Sequence, residues 1–312
     1  MKPTLFTLFG VDVPAYFGML AIGFILATWV GARWLGRLGY DREVVIDLGL
    51  ASVIAGVIGS RLLHVVADGY FWDYVHLCTD PSKVDWHISQ VHCTSRAVDG
   101  IWDATRGVCH PKQANCFAWA AFWAGGLTYY GGLIGATGYA VYFLRRERFP
   151  FWKAADMAGF AIALGLAWGR MGCFLAGCCF GSVCHYPFAA YFPGWSPASE
   201  AQFRAHLLAH EAHPALPVHP TQLYESAGSL LIAAVTYLVI APRKRYDGQM
   251  FVFFLAAYSV LRSVLEVWRR DDRGGFLGLS TSQLISVGIV LALIPLSKWL
   301  RARSGSAAIP RR

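Results

Sequence analysis

Charge is scarce in this chain. Only 15% of its 312 residues are charged, against about 25% in an ordinary soluble domain, and so deep a shortage excludes that class. Acidic residues are the rarer kind, 19 against 27 Lys and Arg. No heptad repeat, low-complexity tract or separate soluble domain is visible, which excludes coiled coils and disordered linkers. Cys-x-x-Cys is also missing, and with it the usual thiol-redox motif. No Ala-x-Ala-like cleavage site follows the first apolar stretch, which Arg33 and Arg37 close as a stop-transfer flank would. That stretch is therefore expected to be retained as a membrane span.

What the chain has instead is apolar length. Hydrophobic residues make up 56% of it and aromatics 15%. Apolar segments run over 14–36, 44–67, 117–144, 154–176, 222–241, 249–268 and 281–299, each near the roughly 20 residues needed to cross a bilayer. The expectation is an all-α polytopic membrane protein, one domain over 1–312 with seven transmembrane helices. Basic residues cluster in alternate connections: Arg33, Arg37 and Arg42; Arg145, Arg146, Arg148 and Lys153; Arg243, Lys244 and Arg245; and the tail from Lys298. Such connections are cytoplasmic, which puts the amino terminus outside and the carboxyl terminus in the cytoplasm. The net charge of +8 then reflects topology and attraction to anionic membrane lipid, with no nucleic acid as partner. Residues 68–116 and 180–218 are expected to be outer loops or caps, and 301–312 a disordered tail.

All eight cysteines fall on the outward side of that topology, which fits an oxidising compartment. Cys78, Cys93, Cys109 and Cys116 are expected to pair within the first outer loop, with three connectivities open. Cys173, Cys178, Cys179 and Cys184 cluster around the end of the fourth span. His206, His210 and His213 would share a face if 199–212 were helical, but the spacing matches no zinc pattern and lacks a fourth ligand, so no metal and no cofactor are expected.

Ionisable residues within apolar spans are functional candidates, because an unpaired guanidinium in hydrocarbon is costly. Arg61 and Arg170 lie in the second and fourth spans. Arg262, Glu266 and Arg269 follow an i, i+4, i+7 pattern that would put all three on one helical face. Arginine's planar fork suits phosphate, which points to lipid headgroup chemistry. The glycines of GGLTYYGGLIG (125–135) allow either close helix packing or backbone contact with a ligand. His219 either caps the fifth span, with Pro220 at its first position, or takes a proton.

The ordered set GGLTYYGGLIG, GRMGCFLAGCCFG (169–181), HPTQLYE (219–225), RSVLEVWRR (262–270) and GLSTSQLIS (278–286) resembles bacterial prolipoprotein diacylglyceryl transferases along nearly the whole chain. The resemblance implies a multi-pass protein of the bacterial inner (plasma) membrane. It also implies a reaction: the diacylglyceryl group of phosphatidylglycerol moves to the lipobox cysteine thiol of a prolipoprotein precursor, forming a thioether and releasing glycerol phosphate. Arg170, Arg262, Glu266 and Tyr130 are the implied catalytic positions. Arg61, Arg269, His219, Gln222, Tyr224, Glu225, Gly131 and Gly132 are the implied substrate-binding positions.

This chain departs from the family pattern within its motifs. Cys173, Ala176 and Cys178 stand where the signature has Asn, Asn and Glu; Tyr130 stands where it has His; and Tyr16–Phe17–Gly18 replaces Trp-Tyr-Gly. Two other readings therefore stay open: a catalytically silent relative that binds anionic phospholipid or lipoprotein precursor, and a thiol-redox membrane protein built on Cys178–Cys179.

Overall fold

The computed structural model describes residues 4–8, 11–88, 90–94, 98–122, 126–269, 275–276 and 278–306. Its helices are α1 (Ala15–Arg37), α2 (Glu43–Ala67), α3 (Phe71–Thr79), α4 (Gln90–Cys93), α5 (Tyr129–Arg146), α6 (Phe151–Ala176), α7 (Pro197–Arg204), α8 (Thr221–Val235), α9 (Ala241–Arg243), α10 (Gln249–Leu265) and α11 (Thr281–Ser306). The strands β1 (Thr4–Leu8) and β2 (Val11–Pro14), β3 (Gly100–Asp103) and β4 (Val108–Pro111), and β5 (Gly275–Phe276) and β6 (Leu279–Ser280) form three antiparallel two-stranded hairpins. They add small ribbons to an otherwise helical architecture.

Among the described residues, six helical segments are long and apolar enough to cross a membrane: Ala15–Arg37, Glu43–Ala67, Phe151–Ala176, Thr221–Arg243, Gln249–Trp268 and Thr281–Ser304. The chain is a multi-pass membrane protein. The span expected over 117–144 differs from the structure. Its helix begins only at Tyr129, and the described residues before it in that stretch include a 3-10 turn, Ala118–Ala120. The 18 residues of α5 include four tyrosines, four glycines and two arginines, a composition too polar to join the six. At the other end, α11 runs on to Ser306, so the tail expected to be disordered from 301 begins as helix; residues 307–312 lie outside the described residues.

The described chain divides into two compact units, 1–46 with 150–312, and 47–149. In the first, α6 packs against α1, α8 and α10, and α10 packs against α11. Ala163, Ile232, Ala233 and Phe254 form a buried core there, and small residues set the spacing of the helices. A Cβ on Gly159 would lie 2.9 Å from the Met250 carbonyl oxygen, so only glycine lets α6 and α10 approach so closely. Asp156, fully buried, fastens the same junction by accepting from Lys244 Nζ (2.8 Å) and from the amides of Gly248 (2.9 Å) and Met250 (2.8 Å). It thereby satisfies donors at the start of α10 that no helical carbonyl can reach. Burial opposes the Lys244 charge, but hydrogen bonds to Asp156 and Asp247 outweigh it and hold its pKa above the usual lysine value.

In the second unit, α2 and α5 meet glycine to glycine. Added Cβ atoms on Gly59, Gly131 or Gly135 would collide with carbonyl oxygens of the facing helix. Ser60 Oγ donates to the Thr128 carbonyl (2.8 Å) and Thr128 Oγ1 to Asp68 (3.1 Å), which ties the start of α5 to the end of α2. The loop region is closed by Cys78–Cys116 and Cys93–Cys109, one of the three pairings the sequence left open. Arg106 and Asp85 form an ion pair across it.

Candidate functional site

The site of the first unit is built where α6 ends. Gly177 adopts a left-handed conformation (φ 76°) and stops the helix, and the Cys178 amide turns back onto the Cys173 carbonyl (3.1 Å), a common glycine termination. Cys179 is also left-handed (φ 62°). The chain then threads between two other motifs. The Gly181 amide donates to the His219 carbonyl (2.9 Å), the His219 amide to the Ser182 carbonyl (3.0 Å), and the Ser182 amide to the Trp268 carbonyl (2.8 Å). A Cβ on Gly181 would stand 2.7 Å from the Trp268 carbonyl oxygen. Blocks 169–181, 219–225 and 262–269 are thus stitched together by main-chain bonds that depend on a glycine. Thr221 Oγ1 and Gln222 Nε2 reinforce the junction by donating to the carbonyls of Cys179 (3.1 Å) and Cys178 (2.7 Å).

A buried charge network occupies this junction. Arg170 Nε lies 3.0 Å from Glu225 Oε2, and Tyr258 donates to Glu225 Oε1 (2.8 Å). Glu225 is 1% exposed, so its charge depends on these two partners. The terminal nitrogens of Arg170 make no hydrogen bond within the described residues, and its side chain keeps 22% of its surface. Its fork is open to a ligand. Arg262 Nη1 lies 3.0 Å from Glu266 Oε2, yet the N–H is not aimed at the oxygen, and neither buried atom has a hydrogen-bond partner. Arg262 Nη2 donates to Ser282 Oγ (3.2 Å). Tyr258 feels the charges of both Arg170 and Arg262, and Cys179 those of Arg170 and Arg269. Arg170, Arg262 and Arg269 thus each act on a group of this one junction.

Several expectations are corrected here. Arg269 does not continue the helical face of Arg262 and Glu266. The α-helix ends at Leu265, a 3-10 turn carries Glu266–Trp268, and Arg269 is extended (φ −104°, ψ 127°) and 7% exposed. His219 does not cap α8, whose first residue is Thr221 with Pro220 at the cap and no capping side chain. Its ring lies among Tyr186, Tyr224 and Trp268, each about 6.4 Å away, with Nδ1 buried and without a hydrogen-bond partner. Gln222 Oε1 is buried and unpartnered in the same way. Residues 199–212 do not form one helix: α7 stops at Arg204 and His206 is left-handed (φ 57°), so His206, His210 and His213 share no helical face.

Of the expected site residues, the structure brings Arg170, His219, Gln222, Tyr224, Glu225, Arg262, Glu266 and Arg269 into this one unit. Arg61, Tyr130, Gly131 and Gly132 belong to the second unit. There Arg61 is 6% exposed and donates to the carbonyls of Trp119 (2.7 Å), Ala118 (2.7 Å) and Gly126 (3.2 Å), clasping the loop before α5. Gly131 supplies the close contact with Gly59, and Tyr130 is 57% exposed. Sequence reasoning missed two participants. Tyr258 lies one turn before Arg262 in an apolar run, a spacing that could have flagged it. The second is the convergence of three cysteines that the sequence only clusters at the end of the fourth span: the sulfurs of Cys173, Cys178 and Cys179 all lie within 4.8 Å of one another.

Comparison with known proteins agrees with the motif reading. The family described as prolipoprotein diacylglyceryl transferase matches residues 3–92 and 107–299. Relatives named phosphatidylglycerol–prolipoprotein diacylglyceryl transferase include one from Clostridium tetani, 27% identical over 93% of this chain and 94% of its own length. Another, from Chromohalobacter salexigens, is 28% identical over 91% and 86%, and one from Vibrio cholerae is 27% identical over 96% and 91%. The chain belongs to the prolipoprotein diacylglyceryl transferase family.

Proposed function

We propose that this protein transfers the diacylglyceryl group of phosphatidylglycerol to the lipobox cysteine thiol of prolipoproteins. The observation that carries the reading is the buried charge network at the end of α6, where Arg170 pairs with Glu225 and Arg262 lies beside Glu266, with N–H groups of Arg170 and Arg262 left uncommitted. Glycerol phosphate is the leaving group. As the carbon–oxygen bond breaks, charge gathers on a phosphate oxygen, and fixed guanidinium groups in a water-poor site stabilise that charge more than water would. Glu225 and Tyr258 hold Arg170 in place. Glu266 or His219 receives the thiol proton; Glu266 Oε2 and His219 Nδ1 both lack a hydrogen-bond partner. Gln222 and Tyr224 line the same junction.

For orientation we propose seven membrane crossings, α5 included, with the amino terminus outside and the carboxyl terminus in the cytoplasm. Reporter fusions after Arg148 and Arg245 should read cytoplasmic, and fusions near Asp99 and Ala198 outside. Inversion at two of these sites would overturn the arrangement.

The activity is tested by complementing a strain depleted of its own transferase, and by transfer of labelled diacylglycerol from phosphatidylglycerol to a lipobox peptide in detergent. Alanine at Arg170, Arg262 or Arg269 should each lower transfer by about 10²–10³. Lysine at Arg262 should rescue only part, because it offers no bidentate fork. Lipid binding without any transfer by the wild type would identify a silent relative instead, and full transfer by the alanine variants would move the site elsewhere.

A further inference from the structure

We infer that Cys173, Cys178 and Cys179 form a three-thiolate site for zinc(II), whose open fourth position takes the acceptor cysteine thiol and prepares it for alkylation. The inference rests on the transferase reading for the identity of that fourth ligand. It begins with geometry. The three sulfurs lie within 4.8 Å of one another, while no His, Asp, Glu or fourth Cys among the described residues joins the group. On a tetrahedral zinc with bonds of about 2.3 Å, sulfurs stand about 3.8 Å apart. Rotation of the side chains closes that difference. Cys173 comes from the last turn of α6, and the left-handed residues Gly177 and Cys179 fold the other two back onto it. Buried Thr221 and Gln222 hold the carbonyls of Cys179 and Cys178, a supporting layer of the kind that fixes ligands in metal sites.

The charge balance favours the same ion. Zinc with three thiolates carries a net charge of −1, and the guanidinium groups of Arg170 and Arg269 act on Cys179 from nearby. Three protein ligands and one open position are the hallmark of a catalytic zinc site, whereas structural sites are closed with four. Zinc has no redox chemistry, which suits a reaction that oxidises nothing. In the second unit all four cysteines are bridged, whereas these three are free.

The chemistry then compensates for the altered signature. This chain has Tyr130 where the family has histidine, and a metal-bound thiol is deprotonated without a strong side-chain base. On binding zinc the acceptor thiol, made acidic by the metal, gives its proton to Glu266 or His219. The sulfur's electron pair forms the bond to the glyceryl carbon, the carbon–oxygen bond breaks, and its electron pair leaves on the phosphate oxygen of glycerol phosphate. The product thioether is neutral, a weak ligand, and departs.

The test uses the full chain purified in detergent. Elemental analysis should find one zinc per chain. Cobalt(II) exchanged into the site should show sulfur-to-metal charge-transfer absorption that shifts when a cysteine-bearing lipobox peptide is added, and should not shift with the serine version of that peptide. Serine at Cys173, Cys178 or Cys179 should lower metal content and transfer by at least about tenfold, while Cys184→Ser should leave both unchanged. If serine variants fold poorly, wild type stripped by chelator and reloaded with zinc gives the same comparison. Absence of zinc, copper(I) in its place, a disulfide within the group, or a cobalt spectrum indifferent to the peptide would each overturn the site. Transfer by a zinc-free protein would overturn it while leaving the transferase reading intact; a peptide-responsive metal site without any transfer would support the site and overturn that reading.

Discussion

Both units contain a buried arginine and a group of cysteines, and they use them in opposite ways. In the second unit Arg61 is clasped by three main-chain carbonyls, and the cysteines are joined in two disulfides. Donors and thiols alike are consumed in holding loops. In the first, Arg170 spends one nitrogen on Glu225, Arg262 Nη1 makes no hydrogen bond, and Cys173, Cys178, Cys179 and Cys184 are free thiols. Residue type alone therefore does not mark a site in a membrane protein. What separates scaffold from chemistry is how much bonding capacity remains after folding.

The largest effect that tests this contrast is expected at Glu225. Alanine there removes the partner of Arg170 and the acceptor of Tyr258 together, leaving a buried charge uncompensated, and should cost about 3–5 kcal/mol of stability. Transfer should be lost as well, because Arg170 is no longer aimed. Thermal unfolding in detergent and the transfer assay read the two losses separately. A Glu225→Ala protein with unchanged melting and full transfer would mean that the network is ornamental and that the contrast between units fails.

Next in size are the disulfides. Removing Cys78–Cys116 by paired serine substitution should cost about 2–4 kcal/mol, mainly through the unfolded chain, and transfer per folded molecule should persist. Thiol labelling sharpens the comparison further. Cys78, Cys93, Cys109 and Cys116 should react only after reduction, whereas Cys173, Cys178 and Cys179 should become reactive on chelation without reductant. Labelling of both groups by reductant alone would erase the distinction drawn between them.

Arg61→Ala should have a smaller effect, about 1.5–3 kcal/mol from the loss of hydrogen bonds to a charged donor. Transfer by the folded fraction should stay near that of wild type. A fall in transfer with unchanged melting would instead make Arg61 a substrate ligand, as its position in an apolar run first suggested.

How much of this was legible in the sequence follows the reach of each interaction. Arg262 and Glu266 pair at i, i+4 as their spacing indicates, because local helical geometry is written in local sequence. The apolar segment expected to end at 176 does so, at the last residue of α6. The Arg170–Glu225 pair spans 55 positions, and only the tertiary packing of α6 on α8 brings it together. Arg269 was misplaced because the last turn tightens to 3-10, a change with no clear signature in RSVLEVWRR. The span expected from 117 starts twelve positions late, at Tyr129, because an apolar count does not tell where in an aromatic-rich stretch a helix begins. The thiol group needed both the left-handed turn and the support of Thr221 and Gln222, forty residues further on.

The smallest predicted effect falls on Tyr130, where the resemblance implies a histidine in the family and the comparison between units is most exposed. Its side chain is 57% exposed, and the described residues give its hydroxyl no hydrogen-bond partner, only an edge-on ring contact with Tyr129 at 5.6 Å. A phenol is a poor base near neutrality. Tyr130→Phe should therefore change stability by less than about 0.5 kcal/mol, the scale of surface substitutions, and change transfer little. Tyr130→His separates two causes: transfer should rise if a missing base limits the rate, and should not change if the acceptor thiol is already deprotonated on the metal. The zinc inference requires the second result. Loss of transfer on removing only the hydroxyl would make that phenol part of the chemistry, and the second unit could no longer be described as scaffold.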